Sequence, residues 1–134
     1  MSAGAKVAVR ALALVGAPFR LHGRDPETGL DCVGFAARAL AIPARDVPTG
    51  YRLRGTSIAR WRSWFDQSGF VAAEHPFRPG DLLLVEPGPS QGHLLVCVAG
   101  GQVHAHAALG RVVYQPGPPP WPFIAAWRHP EVEE

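Results

Sequence analysis

Apolar positions along the chain keep a helical period in the first half and a strand-like one in the second. In residues 3–15, Val7, Ala11, Leu14 and Val15 recur at helical spacing until Gly16 and Pro18 end the run, which predicts an amphipathic helix. Residues 18–23 then read as an extended segment, and Asp25-Pro26-Glu27-Thr28-Gly29 is dense in turn formers. Beyond it, Phe35, Ala36, Ala39 and Leu40 predict a second helix with Asp31 as its N-cap and Cys32 in its first turn. After an irregular connection over 42–55, Ile58, Trp61 and Phe65, with Trp64 beside them, form the stripe of a third helix through Gln67, capped by Thr56 or Ser57. A stripe this rich in large aromatics predicts core.

From Gly69 onwards strands are expected. Arg78-Pro79-Gly80-Asp81 is a turn feeding the buried run Leu82-Leu83-Leu84-Val85, and residues 87–90 close it. Residues 93–98 and 102–106 flank Gly100-Gly101 and predict a hairpin, with further short strands over 111–114 and 123–127 on either side of the Pro-rich stretch 116–122. Helices first and an antiparallel sheet afterwards give an α+β domain with N-terminal helices packed on a C-terminal sheet. If the turn is Gly100-Gly101, Cys97 faces His104 and Leu95 faces His106; a turn at Ala99-Gly100 instead sets His93 opposite His106. Either way His93, His104 and His106 share one face, and Leu94, Val96, Val98, Val103 and Ala105 share the other, which must be core.

At 134 residues without a long low-complexity tract, the chain suits one domain, 1–134. Its 15 glycines and 14 prolines argue against a helical bundle and for short elements joined by many turns. Thirteen Lys and Arg against eleven Asp and Glu, with the arginines scattered, give no footprint for nucleic acid. Two distant cysteines form neither a disulfide framework nor a close metal-binding pair. Arg10 interrupts the apolar residues 7–15, no cleavage site follows, and no stretch is long enough to span a bilayer, so the expectation is synthesis in the cytoplasm without a signal peptide.

Cys32 carries the candidate chemistry. A helix N-terminus offers free amides and the positive end of the dipole, which favour a thiolate. A histidine opening one strand and another in the next would supply a base for the thiol and a group that orients the base. The backbone amide of Cys32 would help hold a developing oxyanion.

These residues resemble a family. Pro18-Phe19-Arg20-Leu21-His22-Gly23, Gly29-Leu30-Asp31-Cys32-Val33-Gly34-Phe35, Arg78-Pro79-Gly80-Asp81-Leu82, Gly92-His93 and Val103-His104-Ala105 follow the order of the NlpC family of papain-like cell-wall cysteine peptidases. The resemblance implies a papain-like fold, with Cys32 as nucleophile, His93 as base and His104 as the residue that orients it. It further implies hydrolysis of peptide bonds in peptidoglycan stem peptides, commonly beside D-glutamate and diaminopimelate, without a metal or cofactor. Within the family the chain is similar to the compact versions encoded with phage tails and gene transfer agents, whose ending is like Ile124-Ala125-Ala126-Trp127-Arg128-His129-Pro130. That likeness implies tail proteins as partners and carriage to the wall on a virion-like particle. The chain departs from the pattern at Phe19, where the family usually has Tyr, and at Val33, where Ser is common. The interval from His93 to His104 is one residue shorter than expected, so His106 is an alternative orienting residue.

Two other readings stand beside this one. His93, Cys97 and His104, with Cys32 or His106, would be a zinc ligand set. Alternatively, the same fold without activity would bind wall peptides or serve as a structural part of a tail. Cys97 reads as packing, Asp81 as the residue that fixes its turn, and Trp121 as either a groove wall or the cover of a sheet edge; His22, His75 and His129 carry no assigned role.

Overall fold

A computed structural model describes residues 1–47 and 58–130. Helix α1 is Ala3–Ala13, and Ser2 caps it by accepting from the Ala5 amide at 3.0 Å. Two short strands, β1 (Arg24–Asp25) and β2 (Gly29–Leu30), pair across the turn-forming stretch and lead into helix α2, Cys32–Leu40. Helix α3 is Ile58–Gln67, with Trp61 and Phe65 buried; the caps expected at Thr56 or Ser57 lie outside the described residues. Then come β3 (Val71–Ala72), β4 (Leu82–Val85), β5 (His93–Val98), β6 (Gly101–His106), β7 (Arg111–Pro116) and β8 (Phe123–Arg128). The last six make one antiparallel sheet in the order β3-β8-β4-β5-β6-β7. Three helices on such a sheet are the α+β architecture that the change of period predicts. Sequence pattern missed the two-residue strands, because two positions carry no period.

The main core lies between the helices and one face of the sheet. Val7 and Ala11 of α1, Phe35, Ala36 and Ala39 of α2, and Trp61 and Phe65 of α3 meet Leu82, Leu84, Leu94, Val96, Val103, Ala105 and Val112 there. The other face is not purely polar: Leu83, Val85, Leu95 and Ala126 are buried with Ala73 in a second, smaller cluster, against which Phe77, Cys97 and Trp121 pack.

Three glycines lock the chain before α2 onto that helix. A Cβ on Gly34 would overlap the carbonyl of Gly23, one on Gly23 would overlap that of Gly29, and one on Gly29 would overlap the Arg20 side chain. The two sequence blocks around His22 and Cys32 are therefore one packed unit. Segment 16–19 also covers part of edge strand β7: the Gly16 amide donates to Val112 at 2.9 Å, Val112 donates back to Ala17 at 2.8 Å, and Phe19 donates to Gly110 at 2.9 Å.

Hairpin β5–β6 takes the second of the two expected registers. Val98 faces Gly101, Cys97 faces Gln102 and Val96 faces Val103, so the turn is Ala99-Gly100, and Cys97 is not opposite His104. The paired glycines meet different needs. Gly100 adopts φ 77°, the left-handed region that a tight turn requires. Gly101 sits in the strand, where a Cβ would collide with the carbonyl of Gln115 on β7.

Candidate active site

Cys32 opens α2 and is held there by its predecessor. Asp31 is 2 % exposed, and its carboxylate accepts from the Gly34 amide at 2.8 Å, from the His22 amide at 2.8 Å and from Arg24 Nη1 at 3.1 Å. One residue thus caps the helix, ties down the preceding loop and forms a part-buried ion pair. Cys32 is half-buried at the edge of the main core, and its thiol lies against the backbone amide of Leu94, the residue after His93.

His93 and His104 are on the same face of adjacent strands, offset from direct opposition, and meet on the diagonal. Nε2 of His93 is 2.8 Å from Nδ1 of His104. Nε2 of His104 is in turn 3.0 Å from Oε1 of Gln115 on β7. With Nε2 of His93 committed to His104, Nδ1 is its other ring nitrogen. His106 is engaged elsewhere: its Nδ1 accepts from the Leu109 amide at 3.1 Å and closes the β6–β7 turn. Of the two candidate partners for His93, the structure brings His104 to it.

The electrostatics differ from the thiolate expected at a helix N-terminus. Burial, and then the neighbouring Asp31 carboxylate, push the Cys32 thiol from 9.0 up to about 12, although the amides of Leu94, Cys32 and Val33 pull the other way. Burial, and then the other two imidazoles, lower His93 from 6.5 to about 3. His104 falls to about 4 for the same main reason, opposed by its bond to Gln115. Burial thus favours the uncharged forms, a thiol at Cys32 and neutral imidazoles at His93 and His104. Low solvation follows from the second apolar cluster and from Trp121, whose ring meets both imidazoles edge-on at centroid distances of 5.6 Å and 5.5 Å. Of the two roles expected for Trp121, groove wall or cover of a sheet edge, the second does not hold: it packs on the imidazole pair of the inner strands β5 and β6.

Among the described residues no three His, Cys, Asp or Glu side chains are arranged to hold a metal ion, so the zinc set of His93, Cys97, His104 and Cys32 or His106 is not assembled. Cys97 packs on the second cluster, where burial and then Asp81 raise its thiol to about 12. Asp81, 1 % exposed, accepts from the Arg78 amide at 2.8 Å and fixes its turn; it also accepts from Arg128 Nε at 2.9 Å and Nη2 at 2.8 Å. His75 and His129 pack edge-on against Phe77 and Phe70. Phe19 is half-buried against the main core, and Val33 is buried within it.

No protein-family model matches the sequence, and no curated protein matches it. Solved structures do. The NlpC/p60 domain of the peptidoglycan hydrolase SagA superposes with a TM-score of 0.58 at 23 % identity, over 84 % of this chain and 88 % of that one. The fold is that of an NlpC/p60 domain. NlpC2 from Trichomonas vaginalis has the same fold at a TM-score of 0.68 and 16 % identity, over 98 % of this chain, which spans about half (48 %) of NlpC2. RipD from Mycobacterium tuberculosis, a non-catalytic NlpC/p60 domain protein adapted to peptidoglycan binding, superposes at 0.58 with 19 % identity, over 96 % of this chain and 98 % of its own. The NlpC/p60 fold thus occurs both in hydrolases and in a protein that only binds. Sequence reasoning missed Gln115 and the roofing role of Trp121. The signal for Gln115 was strand parity, since it shares the face of His104, but its strand was expected to end at Tyr114.

Proposed function

We propose that the protein is a cysteine peptidase that hydrolyses peptide bonds in peptidoglycan stem peptides, with Cys32 as nucleophile, His93 as base and His104 as the residue that orients it. The observation that carries this reading is the bond from His93 to His104 beside the amide that touches the Cys32 thiol. As Sγ attacks the carbonyl carbon, its proton passes to Nδ1 of His93, and the carbonyl becomes an oxyanion near the Cys32 amide. Collapse breaks the peptide C–N bond, and the His93 imidazolium returns its proton to the leaving amine. A thioester remains. Water, deprotonated by His93, attacks it to release the acid and regenerate the thiol.

Digesting defined muropeptides and weighing the fragments tests the proposal. Fragments separated by one hydrolysed peptide bond support it, and intact muropeptides after prolonged incubation contradict it.

A second reading, a wall-peptide binder without activity, is favoured by the high thiol pKa, by Phe19 in place of Tyr and by the likeness to RipD. Alkylation of Cys32 bears on the choice, since an unactivated thiol reacts no faster at neutral pH than a free cysteine. Binding of muropeptides without turnover would establish it. Carriage to the wall on a phage tail or gene transfer agent, after synthesis in the cytoplasm, is the narrower part of the proposal and rests on the sequence resemblance. Absence of the protein from purified particles of its host, and a gene far from tail genes, would contradict that part.

A further inference from the structure

The hydrogen-bonded line from His93 does not end at His104, and its last member decides the chemistry at its first. We infer that Gln115 is a positioning residue whose amide oxygen fixes the tautomers of His104 and His93, leaving the lone pair of His93 Nδ1 free for the Cys32 proton. This inference deepens the peptidase reading and rests on it for its catalytic meaning, while its structural content stands alone.

An amide oxygen only accepts hydrogen bonds. Oε1 of Gln115 at 3.0 Å therefore requires the proton of His104 on Nε2. A neutral imidazole carries one ring proton, so Nδ1 of His104 is a bare acceptor. At 2.8 Å from it, Nε2 of His93 must donate, which leaves Nδ1 of His93 unprotonated. Rotating the Gln115 amide by half a turn reverses every step: its NH2 donates to His104 Nε2, His104 donates from Nδ1, and His93 ends with its proton on Nδ1, where it can no longer accept one. Burial strengthens this logic. His104 is 1 % exposed, so water does not substitute freely for a missing acceptor. Gln102, directly opposite Gln115 in the ladder, is buried too, so the neighbouring strand position brings no bulk solvent to the pair.

No carboxylate ends the line. The imidazolium formed on His93 during attack therefore meets a neutral dipole and not a carboxylate at the far end of this line. Placing a carboxylate at position 115 keeps the acceptor and adds a charge, whereas Gln115→Leu removes the acceptor without changing the charge.

The test is nitrogen NMR of the ring nitrogens in wild type, Gln115→Leu and Gln115→Glu at pH 7, together with pH profiles of muropeptide hydrolysis. Wild type is expected to show His93 and His104 both protonated on Nε2. In Gln115→Leu either ring should acquire Nδ1–H signal, and kcat should fall by about tenfold or more with little change in KM. Gln115→Glu should retain the wild-type tautomers and move the acid limb of the profile to higher pH. A His104 Nδ1–H signal in wild type would overturn the inference even if Gln115→Leu does not fold, and so would unchanged tautomers in a folded Gln115→Leu. Should the wild type hydrolyse nothing, the tautomer measurements still decide the inference, and the peptidase reading fails separately.

Discussion

Burial sets the behaviour of the candidate site residues more than their partners do. His93 sits beside Trp121 and at the border of an apolar cluster, and desolvation is the largest cause of its depressed pKa. Opening that roof should reverse the effect: in Trp121→Ala water reaches the pair, His93 moves back toward 6.5, and the acid limb of kcat/KM rises with it. An acid limb unmoved in Trp121→Ala would show that the tryptophan does not govern solvation there. His93→Ala is expected to reduce hydrolysis by more than about a thousandfold, and His104→Ala by less, since an orienting group contributes less than the base. Steady-state kinetics on a muropeptide gives both ratios.

Elements hold these residues through contacts that the sequence shows only in part. Asp31 was legible as a cap because a turn-rich stretch precedes a helical period, and it does accept from Gly34 at 2.8 Å. Its bond to the His22 amide and its pair with Arg24 join segments whose approach no local pattern encodes. Asp31→Ala would take the carboxylate away from the part-buried Arg24 and from two amides together and should cost about 2 kcal/mol or more, read from urea melts. Gly34→Ala is informative by its sign. At an exposed helix position the change would stabilise by about 1 kcal/mol, but here the new methyl meets the Gly23 carbonyl, so destabilisation of about 1–3 kcal/mol is expected in the same measurement.

The limits of sequence reading are equally physical at this scale. Three helices and the hairpin faces followed from periodicity, because each buries a long apolar stripe. Register did not, since Gly100-Gly101 permits two turns and only the approach of β7 to Gly101 selects one. Strand β7 was expected to stop before the Pro-rich stretch, yet it runs to Pro116, because an edge strand tolerates a missing N–H. That two-residue difference hid Gln115.

For the whole molecule, the same desolvated groups make stability depend on pH. Unfolded, His93 and His104 protonate near 6.5; folded, they hold out to about 3 and about 4. Between those values the unfolded chain binds more protons than the folded one, so stability is complete above about 6.5 and falls as pH drops through that window. Cys32 acts at the other end: its folded pKa is raised from 9.0 to about 12, so its contribution is present below 9.0 and is lost as pH climbs towards 12. The urea midpoint should therefore drop from pH 7 to pH 5, and drop less in a His93→Asn, His104→Asn double variant. An equal drop in both proteins would show that these imidazoles are not the cause. No helix among the described residues is long and apolar enough to cross a membrane.

An NlpC/p60 fold does not by itself decide between cutting and binding, so the sulfur at the head of α2 carries the central claim. Release of peptides from purified peptidoglycan, followed side by side for wild type and a folded Cys32→Ala, tests it most directly. Release by wild type with none above background from Cys32→Ala is the predicted result; equal release by both, or none by either, contradicts it.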